Sequence, residues 1–209
     1  MTILESLQWR YATKKFDTHK LLSDEKLEIL KHAFNLTATS FGLQTMKLIV
    51  IKNKDVRNKL VAHAYHQKQV LDASHLLVFC VQTDILDTDV DAYFDNVTFI
   101  RETPEAILAP YRANLKRMMM NMNQQERIDW SIKQAHIALG NIMTVCAVEQ
   151  IDSCPMEGFD SKQFDSILNL QGMNLKSVLL LPVGYRAEDD MFANFKKVRK
   201  QVSDAVLEL

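Results

Sequence analysis

A basic segment near the N-terminus contains the side chains best suited to binding an anion. Arg10 and Lys14 are separated by three residues in the run Arg10-Tyr11-Ala12-Thr13-Lys14-Lys15-Phe16-Asp17. The planar guanidinium of arginine forms paired hydrogen bonds with phosphate, whereas the ammonium of lysine is a mobile point charge. The two cations could therefore reach different parts of one ligand. The same run could also be a solvated basic turn, which is the usual role of a charge cluster.

Three further segments have residue types that suit ligand binding. A polar loop with a glycine follows a helical segment, a proline- and glycine-containing turn lies later in the chain, and a second basic cluster lies near the C-terminus. These are Thr39–Gln44, Pro155–Asp160 and Lys196–Lys200. The turn could direct backbone N–H groups at a ligand, because glycine permits close approach, or it could simply connect a strand to a helix. The basic cluster by itself would be a solvated tail.

The sequence lacks the common motifs for protein-borne catalysis. It has no glycine-rich phosphate loop, no GxSxG elbow and no HExxH zinc motif. The acidic segment 84–95 resembles a calcium loop in spacing, but Ala92 replaces the required glycine and Thr98 replaces the bidentate acid. His75 and His136 lie among apolar residues, which predicts core histidines. We expect neither a metal site nor a nucleophile, so a bound cofactor would supply the chemistry.

Length, charge and cysteine content favour a cytoplasmic protein of one domain. The chain has 209 residues, 47% of them hydrophobic, and a formal net charge of -1. We therefore predict a single domain over residues 1–209, with no nucleic acid among its partners, since binders of nucleic acid are strongly basic. The three cysteines form no CxxC pair, which indicates a reducing compartment. No apolar run is long enough to cross a membrane.

The apolar pattern predicts strands covered by helices. The runs 48–51, 76–81 and 177–184 are apolar almost throughout, which indicates strands buried on both faces. Five glycines and four prolines leave few tight turns, so the remaining chain should be mostly helical. The longest predicted helix, 126–150, is apolar on nearly all sides. Such a helix must cross the core or be covered by a second subunit, which is a first indication of a dimer.

Six segments in this order resemble the FMN-dependent nitroreductase family. The resemblance is closest to the branch of oxygen-insensitive NAD(P)H nitroreductases and dihydropteridine reductases, and it extends from residue 2 to about residue 200. The segments that carry it are Arg10–Asp17, Thr39–Gln44, Leu71–His75, Pro155–Asp160, Leu181–Gly184 and Lys197–Arg199. The resemblance implies an α+β fold, a three-layer sandwich in which helices cover a mixed sheet. It also implies an intertwined homodimer that exchanges C-terminal segments and binds two FMN molecules at the interface.

The resemblance assigns roles to residues at each end of the flavin. Arg10, Lys197 and Arg199 would bind the FMN phosphate, and this would make both basic clusters functional. Lys14 would lie at the N1 and O2 edge and raise the flavin potential, which is the only catalytic role expected of a side chain. The full set implied to bind FMN is Arg10, Tyr11, Ala12, Lys14, Thr39, Ser40, Gly42, His66, Gln67, Gln69, Pro155, Met156, Glu157, Gly158, Lys197 and Arg199.

Several positions differ from the pattern of the family. His66 and Gln69 align where asparagine and lysine are common, and Gln67 is an alternative at the same edge. Gly42 stands in place of the usual asparagine. The implied substrate pocket contains Phe41, Met118 and Met119. Methionines there in place of aromatic residues would make the pocket more deformable.

By this resemblance the chain is expected to be an oxidoreductase that uses NAD(P)H as co-substrate. A hydride would pass to flavin N5 and then to a nitroaromatic, quinone or pteridine acceptor, with both substrates using one cavity in a ping-pong sequence. Two other interpretations stay open. The chain could be a flavin-binding redox sensor or storage protein with little turnover, or an interaction module without a cofactor.

Overall fold

A four-stranded sheet forms the centre of the molecule. The computed structural model describes all residues, 1–209. The strands are β1 (Met46–Ile51), β2 (His75–Gln82), β3 (Asp152–Ser153) and β4 (Leu175–Gly184), and they lie in the order β1-β2-β4-β3. The three predicted strands are confirmed as β1, β2 and β4. Strand β3 is only two residues long and was not predicted.

The direction of the strands corrects one expectation. Every pair of strands within this chain is antiparallel, so the sheet is not mixed as predicted. The parallel contact is limited to a single bridge between Ala12 and Ser153. Strand β1 is at an open edge, because it pairs only with β2. An open edge exposes unpaired backbone groups that another strand can bind.

Nine helices surround the sheet. They are α1 (Ile3–Trp9), α2 (Asp24–Asn35), α3 (Lys54–Val61), α4 (Gln69–Asp72), α5 (Asp87–Arg101), α6 (Glu105–Met120), α7 (Gln124–Val148), α8 (Ser161–Ile167) and α9 (Val202–Ala205). The predicted cap of α2 is confirmed, since the Ser23 hydroxyl accepts a hydrogen bond from the Lys26 N–H. No helix is long and apolar enough to cross a membrane.

Helices pack on both faces of the sheet, which confirms the predicted three layers. One core cluster joins one face of the sheet to α3, α4 and α8, with Leu60, Val70 and Phe164 fully buried. A second cluster joins the other face to α2 and α7, with Leu30 and Ile142 at its centre. Strand β2 is buried on both faces because both clusters contact it. Burial of this kind explains its continuous apolar sequence.

Helix α7 crosses the second cluster but is not buried on all sides. Its side chains toward the sheet are small or apolar, whereas Ile137 and Val148 are about half exposed. His136 is also exposed, so the prediction of a core histidine at this position is wrong. The reason is that residue 136 falls on the outer face of the helix. His75 is buried as predicted, and its ring nitrogen Nδ1 lies 2.9 Å from the Ser74 hydroxyl.

A pair of helices forms a third, smaller cluster beside the sandwich. Helices α5 and α6 pack through Phe94, Leu115 and Met119. Ion pairs reinforce this packing, because Arg112 on α6 binds Asp91 and Asp95 on α5 as well as Glu105 on its own helix. The pair ends in apolar residues that are well exposed, Phe99 and Ile107 among them.

Candidate active site

The basic segment directly after α1 is an irregular stretch of chain with two isolated β-bridges. Helix α1 ends at Trp9, and Arg10 continues with extended backbone angles of φ −68° and ψ 143°. The bridge between Ala12 and Ser153 attaches the segment to β3, and the bridge between Phe16 and Arg186 attaches it to the chain after β4. The segment is therefore held against the edge of the sheet and is not the solvated turn that the charges alone allowed.

A buried carboxylate holds this segment to the C-terminal region. Asp190 accepts hydrogen bonds from the Tyr11 hydroxyl (2.8 Å) and from the backbone N–H groups of Lys14 (2.9 Å), Lys15 (3.0 Å) and Phe192 (3.1 Å). Burial raises the pKa of this carboxyl, but the hydrogen bonds outweigh burial and hold the pKa below its usual range. An ionised Asp190 thus fixes the basic segment and the start of the tail together.

Three cations meet in a cleft of about 420 Å³ beside this carboxylate. Arg10, Lys197 and Arg199 line it, although they come from opposite ends of the chain, and the Lys197 ammonium donates to the Arg10 carbonyl oxygen. None of the three has a carboxylate partner. The Nε atom of Arg10 is buried without any hydrogen-bond acceptor. A buried donor without an acceptor, next to two further cations without carboxylate partners, indicates an anion site.

The pKa values of Arg10 and Lys197 reflect burial and the repulsion of neighbouring cations. Burial, and then the charge of Arg199, lowers the pKa of Arg10. Burial, followed by the charges of Arg10 and Arg199, lowers the pKa of Lys197. A bound phosphate would raise both pKa values, because a nearby opposite charge favours the protonated forms.

Lys14 lines the same cleft on a more exposed side. Its ammonium lies 4.0 Å from the thiol of Cys154, which is buried. Burial raises the pKa of the Cys154 thiol, while the charges of Lys14 and Arg10 oppose this rise. Cys154 is thus a neutral neighbour of Lys14 and leaves the ammonium free for another acceptor.

The turn after β3 presents two free backbone donors. Met156 uses its N–H in a bridge to Leu180, and Pro155 has none. The N–H groups of Glu157 and Gly158 donate to no acceptor in the chain. Both residues are exposed. This is the geometry that the turn needs in order to bind an acceptor atom of a ligand.

Of the three residues predicted for the pyrimidine edge, one contacts this turn. The Gln67 amide donates to the Gly158 carbonyl oxygen and to the Ala64 carbonyl oxygen, each at 3.1 Å. His66 is exposed and has a left-handed backbone, with φ 58°. Gln69 begins α4 and is buried. Gln67, which the sequence gave only as an alternative, is therefore the side chain tied to the Gly158 turn.

The loop at residues 39–42 lies outside the cleft that Arg10 lines. The hydroxyl of Thr39 is buried without a partner, and the Ser40 N–H donates to the Gln134 amide oxygen at 2.9 Å. Gly42 has φ 73°, and a Cβ at this position would lie 2.8 Å from the ring of Tyr93. The left-handed backbone angle and the close approach of Tyr93 both favour glycine at this position.

The predicted substrate residues occupy different environments. Phe41 is partly exposed and stacks on Trp130, with 6.4 Å between the ring centroids. Met118 is half-buried. Met119 is fully buried between α5 and α6, so its side chain lines no cavity in this chain. Its position in the helical repeat of α6 places it on the face that packs against α5. The run of three methionines does not show which of them occupies that face.

Sequence analysis missed two charged residues behind the cleft, in addition to Asp190. Arg186 lies between the rings of Trp9 and Tyr11, with its guanidinium carbon 4.3 and 4.6 Å from their centroids. Its Nε donates to the buried Asp152 carboxylate at 2.7 Å. Asp152 is a single acid within β3 and Arg186 is a single arginine after β4. Neither belongs to a motif that can be recognised in the sequence. The described residues include no group of three or more potential metal ligands.

Comparison with known proteins places this arrangement in a family. Residues 7–185 match the nitroreductase family. The chain belongs to that family. It is 30% identical to "Putative NAD(P)H nitroreductase YfkO" of Bacillus subtilis over 98% of this chain and 96% of that protein. It is 33% identical to "Putative NAD(P)H nitroreductase SERP2086" of Staphylococcus epidermidis, again over 98% and 96% of the two chains. The predicted family and oxidoreductase class are confirmed.

Solved structures confirm the nitroreductase fold. A crystal structure of the nitroreductase ydfN from Bacillus subtilis has a TM-score of 0.88 and 20% identity, and it covers 99% of this chain and 98% of its own. A nitroreductase from Exiguobacterium sibiricum in complex with FMN has a TM-score of 0.86 and 18% identity, with 100% and 98% coverage. At these identities the likeness concerns the fold alone.

Proposed function

We propose that this chain is an FMN-dependent oxidoreductase that uses NAD(P)H to reduce a small-molecule acceptor. The observation that carries the proposal is the cation cluster of Arg10, Lys197 and Arg199, which has no carboxylate partner and contains a buried, unpaired Nε atom. FMN has a terminal phosphate dianion of matching charge. The FMN seen in the Exiguobacterium sibiricum protein supports the same cofactor here, and the names of the relatives support NAD(P)H as the co-substrate.

The donors on this chain fit FMN at both ends. Arg10, Lys197 and Arg199 would hold the phosphate, and the free N–H groups of Glu157 and Gly158 would bind the N5 edge of the ring. Lys14, on the exposed side of the cleft, would bind at the N1 and O2 edge, where its charge stabilises negative charge on the ring. Tyr11, Ala12, Pro155 and Met156 would shape the wall, since they lie in the same two segments.

Bound FMN would accept a hydride from NAD(P)H and pass it to a nitroaromatic, quinone or pteridine acceptor, with both substrates using one cavity in turn. The chain's own part is to bind, orient and tune. Phe41 and Met118 would contact the acceptor, since both are at least partly accessible.

A homodimer would complete the site. Thr39, Ser40 and Gly42 lie outside the cleft of their own chain, and the Thr39 hydroxyl has no partner there. We therefore propose that these residues contribute from the second subunit. The open edge of β1 and the exposed apolar residues of α1, α7 and the tail support this assembly, in which the C-terminal segments would cross to the partner. Association of two chains would bury these exposed apolar residues.

Three measurements test the proposal. The purified protein should be yellow, and heating should release FMN in a ratio of about one per chain. NAD(P)H should bleach the bound flavin rapidly, and initial-rate plots with an acceptor should give parallel lines. A colourless protein that takes up no FMN would refute the proposal, and intersecting lines would refute the shared cavity. Slow bleaching of bound FMN would instead favour the sensor or storage function.

A further inference from the structure

A further arginine, Arg186, lies next to the two residues that flank Arg10. The guanidinium carbon of Arg186 is 4.3 Å from the ring centroid of Trp9 and 4.6 Å from that of Tyr11. These two aromatic residues are the immediate neighbours of Arg10 in sequence. A guanidinium over an aromatic face is attracted by the ring quadrupole, and its flat shape also packs well there. Arg186 is therefore enclosed by the residues before and after Arg10.

A buried carboxylate fixes the position of Arg186. The side chain of Asp152 accepts hydrogen bonds from the Arg186 Nε (2.7 Å) and backbone N–H (2.8 Å), and only about 5% of it is exposed. The next residue, Ser153, forms the bridge to Ala12 and accepts the Thr13 N–H at 3.2 Å. The Nη2 atom of Arg186 lies 2.6 Å from the same carboxylate oxygen as Nε, so two guanidinium nitrogens contact Asp152. Together, Arg186, Asp152, Trp9 and Tyr11 form a clamp that connects β3 to both sides of Arg10.

Arg10 and Arg186 have different neighbours. Arg10 follows the last residue of α1 with extended backbone angles and lines the cleft together with Arg199. Trp9 and Tyr11 also line this cleft, and the ring of each contacts Arg186. Arg186 is paired with Asp152 and does not line the cleft. It is thus not a further ligand for the anion.

We propose that Arg186 is a positioning residue for the phosphate end of the flavin site. By holding Trp9 and Tyr11, it fixes the direction in which Arg10 enters the cleft. The inference rests on the proposed function, in which Arg10 binds the FMN phosphate. An arginine held in its binding direction loses less conformational freedom when the ligand arrives, and so it binds more tightly.

The test compares two flavins that differ only in the phosphate. Arg186→Lys keeps the charge but removes the flat face and the Nε donor. We expect the FMN dissociation constant to rise about tenfold, while that of riboflavin changes less than about twofold. Fluorescence titration of flavin-free protein measures both constants. Arg117→Lys is the matched control, because Arg117 is an exposed arginine on α6 that binds only Asn114, and it should change neither constant.

A double-mutant cycle decides whether Arg186 acts through Arg10. In the Arg10→Ala background, Arg186→Lys should change the FMN dissociation constant less than about twofold, because no guanidinium remains to be positioned. If Arg186→Lys fails to fold, Trp9→Leu removes one face of the clamp at a partly exposed position and should show the same selectivity and the same cycle.

The outcomes separate this inference from the proposed function. Equal losses for FMN and riboflavin, or effects of the two arginines that simply add, would overturn the role of Arg186 and leave the FMN assignment intact. A wild-type protein that binds neither flavin would overturn the proposed function and this inference with it. Selective loss of FMN with non-additive effects would support both.

Discussion

The two ends of the proposed flavin site differ in how completely one chain builds them. At the phosphate end, Arg10, Lys197 and Asp190 are brought together by hydrogen bonds within the chain. At the other end, the loop at residues 39–42 lies outside this cleft, and its Thr39 hydroxyl has no partner. The comparison teaches that charge recognition can be complete in a single chain, whereas in the proposed homodimer a second copy would complete the walls around the ring and the acceptor.

Removing Arg10 tests the end that one chain builds. Arg10→Ala should weaken FMN binding by about 1.5–3 kcal/mol, because the phosphate loses a charge-assisted bidentate partner. Riboflavin affinity should change little, since that flavin has no phosphate. Titration of the flavin-free variant with each flavin measures the difference. Unchanged FMN affinity would show that the cation cluster is not the phosphate site.

Asp190→Asn tests whether the phosphate end depends on one buried carboxylate. The variant should lose about 1–3 kcal/mol of unfolding free energy, because the hydrogen bonds to Asp190 lose their charge and an amide N–H meets donor groups. Denaturant unfolding at neutral pH measures this loss. Asp189→Asn is the matched control, since Asp189 is exposed and its contact is an ion pair with Lys15 at the surface.

The stabilisation of the fold by Asp190 should depend on pH. The pKa of Asp190 is lower in the folded chain than its usual value, so its stabilisation is present above the unfolded pKa of about 3.9. This stabilisation should be lost as the pH falls through the lowered folded-state pKa. The difference in unfolding free energy between wild type and Asp190→Asn should therefore shrink at acidic pH. A difference that stays constant into strong acid would contradict the role given to the carboxylate.

Two glycines sharpen the comparison at the opposite end. Gly42→Ala should destabilise the chain by about 1–2 kcal/mol, because φ is 73° and the new Cβ would meet the ring of Tyr93 at 2.8 Å. Gly140→Ala on α7 is the control, with nothing within 4 Å of the new Cβ, and it should stabilise by about 0.5–1 kcal/mol. Thermal unfolding measures both, and equal effects would mean that the 39–42 loop is not constrained.

The fold was more predictable from sequence than the site. Strands β1, β2 and β4 and the cap of α2 could be predicted, because each depends on a short run of neighbouring residues. Only the family resemblance predicted that Arg10 and Lys197 lie at one site, because the two residues are 187 positions apart in the sequence. Asp190 stands among neighbouring acids at 188–190, and only its hydrogen bonds distinguish it. Roles that depend on long-range contacts leave no local pattern in the sequence.

Lys14 connects the two ends of the comparison and has the smallest expected effect. Its backbone N–H is held by Asp190, while its ammonium lines the cleft 4.0 Å from the Cys154 thiol. Lys14→Ala should lower the two-electron potential of bound FMN by about 20–40 mV, equal to roughly 1–2 kcal/mol, because the reduced ring loses a stabilising cation. Spectroelectrochemical titration measures this shift. Lys15→Ala is the control, because its ammonium pairs with Asp189 at the surface and should leave the potential unchanged. If both variants kept the wild-type potential, Lys14 would belong to the phosphate end alone, and the tuning of the ring would have to come from the partner subunit.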